Sequence, residues 1–444
     1  MKRYALALLA GLVALSLALA GCGPGATEEP TEVPAEEPTE APEEEPTEAP
    51  EEEPTEAPEE EPTEAAEEAT TVILWHGYAG DYQSTIEGLF EEFNAENEDI
   101  QIEYTRVDEL RDSLSVAIPA GEGPDIIAWA NDQIGRNALT GNIVAIDDWV
   151  DMAYLEENFT PPAVTGMVWN DQIWGLPETM ESIALVYNRD LVAEEDLPAP
   201  EDFDALLNNA CAFRDENPDM WYLCNQGLGN ADAYHVAPIY FGFGMPNYVD
   251  DEGNVYLDTE EGIAAGQWMV ELSECAPAET SHEICQAMLA EGQGAIWWTG
   301  PWAISGLEEA GINYGIAPMG KPFVGIKVWM LTTNAVDRGK GDAAMEVMRW
   351  WTSADTLKTR VLETKEVPAN VAVLEDSEVQ ALETVSSFGA AAERGLPLPN
   401  TPFMDALWGP VGDATTAIWT GAQEPAEALE DAQQTALETI EDMQ

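Results

Sequence analysis

Between residues 71 and 130, the apolar positions alternate between strand-like and helix-like periodicity. The predicted order is strand 71–75, helix 84–97, strand 100–107, helix 109–120 and strand 125–129. Strands that alternate with helices are typical of an α/β fold with a parallel sheet. Ligands of such folds bind at the carboxyl ends of the strands, so we expect residues 75–78 and 129–133 to lie near a ligand.

The rest of the chain continues the same mixture of periodicities. The pattern predicts a strand at 294–298 and helices at 201–216, 259–274, 280–291, 299–310, 341–352, 377–393, 403–420 and 425–443. The globular body, from about residue 71 onward, has about 374 residues, which is more than one hydrophobic core usually serves. We therefore expect two lobes.

The N-terminus has the layout of a secretory signal. Lys2 and Arg3 precede an apolar stretch over 4–20, and small residues lead to Cys22. The sequence Leu-Ala-Gly-Cys at 19–22 resembles the lipobox of bacterial lipoproteins. We expect a lipoprotein signal peptide at 1–21, a lipid on Cys22, and a chain anchored to the outer face of the cell membrane. The alternative is an ordinary signal peptide followed by a chance cysteine.

Residues 22–70 predict a tether. The segment 43–50 recurs at 51–58 and, with one change, at 59–66, and residues 26–69 contain 20 Glu and no Lys or Arg. Because almost no large apolar side chain is present, no core can offset the entropy of ordering this segment. Pro-rich, like-charged chains are extended, so we expect a disordered spacer of up to roughly 150 Å. The alternative is low-complexity drift without a function.

The charge of the body excludes one class of partner. The tether holds 20 of the 86 acidic residues, and Lys2 and Arg3 are two of the 16 basic ones, so the body has a formal charge of about −52. A surface this acidic repels phosphate backbones, so we expect no nucleic-acid binding.

Four cysteines lie in the body: Cys211, Cys224, Cys275 and Cys285. Disulfides persist in an exported domain, and four cysteines allow three connectivities. The short spacings favour Cys211–Cys224 and Cys275–Cys285. Metal binding is the weaker interpretation, because no C-x-x-C is present and only His282 lies nearby, so we expect no metal site.

Five segments of the body carry a resemblance. They are Gly-Pro-Asp-Ile-Ile-Ala-Trp-Ala-Asn-Asp at 123–132, Leu-Val-Tyr-Asn-Arg-Asp-Leu at 185–191, Gly-Pro-Trp at 300–302, Lys-Pro-Phe-Val-Gly at 321–325, and Pro-Asn-Thr-Pro at 399–402 followed by Trp408. In this order they resemble the maltose/maltodextrin-binding lipoproteins of ABC sugar transporters, which belong to extracellular solute-binding protein family 1.

The resemblance implies a two-lobe α/β architecture of the periplasmic-binding-protein type II fold, with three hinge crossings near 178–184, 323–327 and 374–381. The implied N-lobe comprises 71–180 and 327–376, and the C-lobe comprises 181–326 and 377–444. It implies a maltodextrin-like or other short oligosaccharide between the lobes and a membrane permease of an ABC transporter as the partner. We expect no cofactor and a monomeric protein.

The resemblance also implies contacts with the ligand, carried residue by residue onto Trp129, Asp132, Glu181, Asp232, Tyr234, Trp302 and Trp408. Aromatic rings pack on the C–H faces of sugars, and carboxylates accept hydrogen bonds from sugar hydroxyls. Two positions keep an alternative: Trp129 as a core residue at a strand end, and Glu181 as a solvated hinge charge.

The chain also departs from the family pattern. Three basic residues of the maltodextrin binders are missing, and Gln133 and Gly412 stand at two of those positions. We expect Gln133 to remain at the ligand and His76, with Tyr78 and Tyr82, to compensate. The alternative for His76 is a loop residue without a ligand.

Two other functions are alternatives for this sequence. A cell-surface glycoside hydrolase would use Asp132, Glu181 or Asp232 as a carboxylate pair. However, the sequence contains no G-x-S-x-G, H-E-x-x-H or P-loop motif, so we expect a binding protein without enzymatic activity. A structural adhesin is the third possibility.

Overall fold

The computed structural model describes residues 69–78 and 81–443, without the side chain of Asp81. The predicted signal peptide at 1–21, the lipidation site Cys22 and the tether up to residue 68 lie outside the described residues. The β-strands are β1 Thr70–His76, β2 Ile100–Arg106, β3 Ile126–Ala130, β4 Val168–Trp169, β5 Gln172–Ile173, β6 Leu176–Glu181, β7 Ala184–Asn188, β8 Trp221–Cys224, β9 Gly294–Thr299, β10 Tyr314–Ala317, β11 Phe323–Leu331, β12 Val367–Pro368 and β13 Leu396–Pro397.

The α-helices cover the faces of the sheets and connect the strands. They are α1 Asp81–Glu96, α2 Leu110–Ala117, α3 Gln133–Leu139, α4 Met152–Asn158, α5 Pro161–Met167, α6 Phe203–Glu216, α7 Ala233–Gly242, α8 Glu260–Ser273, α9 His282–Ala290, α10 Ile304–Glu309, α11 Thr333–Asp337, α12 Gly341–Trp351, α13 Ala354–Thr364, α14 Val371–Leu374, α15 Ser377–Gln380, α16 Glu383–Ala392, α17 Trp408–Trp419 and α18 Pro425–Met443. Short 3₁₀ turns occupy Glu194–Asp196, Pro301–Ala303 and Pro402–Ala406.

The first sheet has seven strands in the order β12-β6-β11-β3-β1-β2, with β13 also paired to β11. The parallel pairing predicted for the first three strands is confirmed, because β1 lies between β2 and β3 and is parallel to both. Strands β11, β6 and β12 then extend the sheet in antiparallel pairs. The sheet is therefore mixed, and the carboxyl ends of the parallel strands β1 and β3 lie at the same edge, with β3 beside β11.

The second sheet has four strands in the order β10-β7-β9-β8. Its strand β7 is buried on both faces: Ala184 and Val186 belong to one hydrophobic cluster, whereas Leu185 and Tyr187 belong to another. Alternate residues of a strand point to opposite faces, so layers pack on both sides of this sheet. The chain passes from the first sheet to the second between Glu181 and Ala184 and returns between Ala317 and Phe323.

One predicted helix is broken. The pattern predicted a continuous helix over 377–393, but the structure has α15 and α16 there, separated at Ala381 and Leu382. Leu382 has an extended backbone conformation with ψ of 116°, which ends the first helix and precedes the second. None of the helices in residues 69–78 and 81–443 has the length and apolar character needed to cross a membrane.

The favoured disulfide pairing was wrong. The bonds join Cys211 to Cys275 and Cys224 to Cys285, with Cα–Cα distances of 4.9 and 5.5 Å. Cys211 lies in α6 and bonds to the loop after α8, whereas Cys224 ends β8 and bonds to α9. Each bond therefore joins elements that are distant along the chain, and sequence spacing could not show which elements pack together. Both lie in the part of the chain that carries the second sheet.

Candidate functional site

A cavity of about 510 Å³ lies where the carboxyl ends of β1 and β3 meet β6, β11 and elements attached to the second sheet. Its volume falls in the range of small-molecule binding clefts. The lining residues are Gly77, Tyr78, Tyr82, Ala130, Asp132, Glu181, Tyr234, His282, Trp302, Gly325, Lys327, Glu366, Leu398 and Trp408. They include five of the nine predicted ligand contacts: Asp132, Glu181, Tyr234, Trp302 and Trp408.

Two half-buried indole rings line the cavity. Trp302 lies in the 3₁₀ turn after β9, and its ring lies over the backbone of Gly300, where any side chain would overlap it. The ring is 6.3 Å from that of Tyr234 and 5.6 Å from that of His235. Trp408 opens α17, with its ring 6.2 Å from that of Phe323. The cavity therefore has flat aromatic faces whose positions are fixed by packing.

Asp132 presents one carboxylate oxygen to the cavity. Its Oδ2 accepts hydrogen bonds from Trp408 Nε1 at 3.1 Å and Gln133 Nε2 at 2.8 Å. In the described part of the chain, Oδ1 receives no hydrogen bond, and it is the acceptor available to a ligand hydroxyl. Burial raises the pKa of Asp132, while the hydrogen bonds from Gln133 and Trp408 oppose that rise.

The segment that follows β13 brings Trp408 to Asp132. Leu398 N donates to Val324 O at 3.0 Å, and Asn131 Nδ2 donates to Leu398 O at 2.9 Å. Gly135 N then donates to Asn400 O at 2.9 Å. These bonds hold the start of α17 against the start of α3, so that one hydrogen bond joins Trp408 to Asp132.

Glu181 and Lys327 form the charged floor of the cavity. Lys327 Nζ lies 3.6 Å from Glu181 Oε2, and Tyr234 donates its hydroxyl hydrogen to the Glu181 backbone oxygen at 3.0 Å. Burial raises the pKa of Glu181, while Lys327 opposes that rise. Burial would lower the pKa of Lys327, but Glu181 raises it above its usual value. Lys327 is therefore charged at neutral pH.

A buried ion network lies beneath this floor. Arg360 is 1% exposed and donates to Glu366 from Nε and Nη2 at 2.9 and 2.8 Å. Its Nη1 lies 2.9 Å from Glu178 Oε2, which also accepts from Tyr78 and Trp351. Burial alone would raise the pKa of Glu178, but Arg360 and these hydrogen bonds lower it. Since Tyr78 and Glu366 also line the cavity, the network supports the site.

Trp129 lies behind the cavity wall. Its ring packs over the backbone of Gly77, and the Lys327 ammonium lies 5.8 Å from the ring centroid. Gly77 and Lys327 line the cavity, whereas Trp129 does not. The half-buried ring thus supports two residues of the wall, and the prediction that it contacts the ligand directly receives no support from this geometry.

Asp232 and Gln133 also lie outside the cavity wall. Asp232 caps α7 by accepting hydrogen bonds from Tyr234 N and His235 N, and its Oδ2 lies 2.7 Å from His235 Nδ1. Gln133 bonds to Asp132 and lines a separate cavity of about 210 Å³. Asp232 thus positions Tyr234, and Gln133 positions Asp132. Their predicted direct contacts with the ligand receive no support from this geometry.

His76 does not line the cavity, so its predicted contact with the ligand receives no support from this geometry. His76 is fully buried, with its ring 5.1 Å from that of Tyr78 and 6.2 Å from that of Phe90. It ends β1, in which Val72, Leu74 and His76 alternate toward the core. The period of two therefore places this imidazole inside, and burial lowers its pKa.

The sequence reasoning missed three polar residues of the wall: Lys327, His282 and Glu366. The sequence contains a feature that could have identified Lys327, because it is the only charged residue in the apolar run of β11. His282 begins α9, with its ring 5.0 Å from that of Trp297, and burial lowers its pKa. No local sequence pattern identifies Glu366 as a residue of the cavity wall. Within residues 69–78 and 81–443, no group of three His, Cys, Asp or Glu side chains could hold a metal ion.

The charge of Asp232 gives a testable pH dependence. Burial opposes its ionisation, but His235 and the hydrogen bonds lower its pKa from 3.8 to about 2. Because the pKa of Asp232 is lower in the folded state than in the unfolded state, its charge stabilises the folded protein at pH values above the unfolded-state pKa. This stabilisation is lost as the pH falls toward 2. Asparagine keeps the cap, so Asp232→Asn removes mainly the charge. We expect the variant to be about 2 kcal/mol less stable at pH 7.

Urea unfolding of both proteins between pH 7 and pH 3 measures this difference. The advantage of the wild-type protein should shrink steadily below pH 4. A difference that stays constant over that range would mean that the carboxylate is not stabilised in the folded state. Comparison at each pH cancels the general effect of neutralising an acidic surface.

The chain is similar to known solute-binding proteins in sequence. The family described as bacterial extracellular solute-binding protein matches residues 78–358. The maltotriose-binding protein of Pyrococcus abyssi is 30% identical over 363 residues, which are 78% of this chain and 77% of that protein. A maltooligosaccharide ABC transporter solute-binding lipoprotein of Streptococcus pneumoniae is 24% identical and covers 74% of this chain and 79% of its own length.

A solved structure gives the same fold. A cyclo/maltodextrin-binding protein complexed with maltotetraose superimposes with a TM-score of 0.70 at 25% identity, covering 85% of this chain and 98% of the other. The predicted two-lobe α/β fold is therefore confirmed.

Proposed function

This chain belongs to the bacterial extracellular solute-binding proteins, and we propose that its solute is a short, neutral oligosaccharide of the maltodextrin type. The ligand occupies the 510 Å³ cavity, and the protein delivers it to the membrane permease of an ABC transporter. The named relatives bind maltotriose or maltooligosaccharides, and the pneumococcal one serves an ABC transporter.

The observation that carries this proposal is the pairing of aromatic faces with carboxylates in one cavity. Trp302, Trp408 and Tyr234 supply rings, and Asp132 and Glu181 supply acceptors. A sugar presents C–H faces that pack on rings and hydroxyls that need directed partners. The direct contacts proposed are these five residues, with Trp129, Gln133 and Asp232 acting behind them.

The position of the cavity supports a hinge mechanism. Its wall includes residues of the first sheet, such as Ala130, and residues attached to the second sheet, such as Trp302. A ligand that contacts both lobes binds the closed arrangement more strongly than the open one and so favours closure. The first two passages between the sheets, at 181–184 and 317–323, are the hinge segments in this proposal.

The N-terminus completes the proposed arrangement. Cleavage before Cys22 and lipid attachment would anchor the chain to the outer face of the membrane, and the Glu- and Pro-rich segment would act as a spacer. The name of the pneumococcal relative, which includes the word lipoprotein, supports this part of the proposal. An anchored binding domain stays near its permease, which raises its effective concentration there.

Calorimetric titration of the globular body with maltotriose tests the proposed ligand. We expect saturable, reversible binding and an unchanged trisaccharide recovered afterwards. Cellotriose, which has the same composition but a different linkage, is the matched control, and it should bind at least ten times more weakly. Absence of binding by maltotriose would contradict the proposed ligand, and release of shorter sugars would favour a glycoside hydrolase instead.

A further inference from the structure

Lys327 lies at a distinctive position on strand β11, and its side chain is about one-quarter exposed. Every other residue of this nine-residue strand is buried. On one side its Cα partner is Ala130, a small residue that leaves room in the cavity wall. On the other side, the register with β6 shifts between Ile326 and Val328, that is, at Lys327. Such irregularities re-aim side chains and are frequent beside functional sites.

The ammonium group of Lys327 is available to a ligand. Its ion-pair partner, Glu181 Oε2, is 3.6 Å away, which exceeds the usual hydrogen-bond range of about 2.7–3.2 Å. Across residues 69–78 and 81–443, Nζ donates no hydrogen bond. A lysine ammonium carries three donors, and this one faces the cavity between a carboxylate and the ring of Trp129.

Arg360 is the other cation close to the floor, and its three guanidinium nitrogens contact buried carboxylates. Its Nε and Nη2 donate to Glu366, and its Nη1 contacts Glu178. At 1% exposure it cannot reach a ligand. Lys327 is therefore the cation in the described part of the wall whose donors are open to the cavity.

We propose that Lys327 is a specificity-determining residue, which donates hydrogen bonds to hydroxyl oxygens of the bound sugar while the adjacent Glu181 carboxylate accepts from them. This inference rests on the proposed function. Lys327 then supplies a cationic donor in a chain that lacks three basic residues of the family pattern.

The surrounding charges define the ligand class. Asp132, Glu181 and Glu366 also line the cavity, so carboxylates outnumber the ammonium. An acidic sugar would be repelled by these groups. The floor offers a donor and an acceptor within 3.6 Å of each other, which matches the neighbouring hydroxyls of a neutral sugar.

Substitution of Lys327 in a Glu181→Gln background separates ligand binding from charge compensation. Lys327→Met leaves Glu181 buried and unpaired, so its effect alone is ambiguous. Glu181→Gln removes that charge and keeps an acceptor. In the Glu181→Gln background, adding Lys327→Met should weaken maltotriose binding by about tenfold or more, because only the donor is then lost. Adding Lys327→Arg instead should keep part of the affinity, because arginine retains cationic donors.

Calorimetry with maltotriose on the wild-type protein and the three variants supplies the affinities, and thermal unfolding confirms that each is folded. Equal affinities of Glu181→Gln and Glu181→Gln/Lys327→Met would overturn the inference, because Lys327 would then only neutralise Glu181. That result would leave the proposed function intact if the wild-type protein binds. Failure of the folded wild-type protein to bind maltotriose would overturn the proposed ligand and this role together.

Discussion

Replacing Arg360 with leucine is expected to destabilise the folded protein by about 3–5 kcal/mol. Arg360 is 1% exposed, and it is bonded to Glu366 through two nitrogens and lies 2.9 Å from Glu178 through the third. Glu178 is 0% exposed and Glu366 is 1% exposed. Without the guanidinium, two carboxylates would remain in a low-dielectric interior without the cation that contacts them directly.

Urea unfolding at pH 7 measures this loss, and Arg394→Leu is the matched control. Arg394 pairs with Glu201, whose side chain is 63% exposed, so its loss should change stability by about 1 kcal/mol or less. The folded-state pKa of Glu178 is lowered, so the contribution of its charge is present at neutral pH and lost as the pH falls. The two Leu variants should therefore become more alike on acidification. If Arg360→Leu and Arg394→Leu lost the same stability at pH 7, the ion network around Arg360 would not behave as a buried network.

This network also connects stability to binding. Trp329 Nε1 donates to the Tyr78 hydroxyl at 2.9 Å, and Tyr78 in turn donates to Glu178 at 2.7 Å. Tyr78 and Glu366 both line the cavity, so the interior of the first lobe directly fixes the shape of the ligand site. A variant that remains folded without Arg360 should therefore also bind more weakly.

The sequence predicted the elements whose periodicity is strong and local. The apolar run of β1 and the helical spacing of α1 placed the first strand and helix, and the family resemblance placed Trp302 and Trp408 in one site. Helix α7 was missed because its residues are apolar on nearly every side and include Pro238, so neither amphipathic spacing nor helix propensity marks it. For Asp232, which caps this helix, only the family resemblance gave an expectation, namely a contact with the ligand.

Features that depend on tertiary packing could not be predicted. The disulfide pairing follows from the packing of α6 near α8 and of β8 near α9, and no spacing between cysteines contains that information. The position of the Trp129 ring behind Gly77 could not be predicted either, because it depends on the neighbouring strands β1 and β11. A side chain at the end of a strand can face a ligand, or it can pack behind the residues that contact the ligand.

Replacing Trp302 with alanine is expected to weaken maltotriose binding by about 30- to 100-fold, or roughly 2–3 kcal/mol. The ring is half-buried, lines the cavity and is held by Gly300, Tyr234 and His235, so its face is already oriented in the free protein. Little side-chain entropy is lost when a sugar packs on it, and truncation removes both the contact area and this preorganisation. Trp302 is a cleaner test than Trp408, whose loss would also free Asp132.

Trp350→Ala is the matched control for calorimetry and thermal unfolding. Trp350 is also half-buried and packs at 4.5 Å on Phe93, but it lines a different cavity. Both substitutions remove an indole and lower stability, so only a loss of affinity specific to Trp302 identifies the sugar-stacking face. Maltotriose binding should be unchanged in Trp350→Ala. If folded Trp302→Ala bound maltotriose as tightly as the control, the sugar would not stack on this ring, and the site would have to be sought among other residues of the cavity.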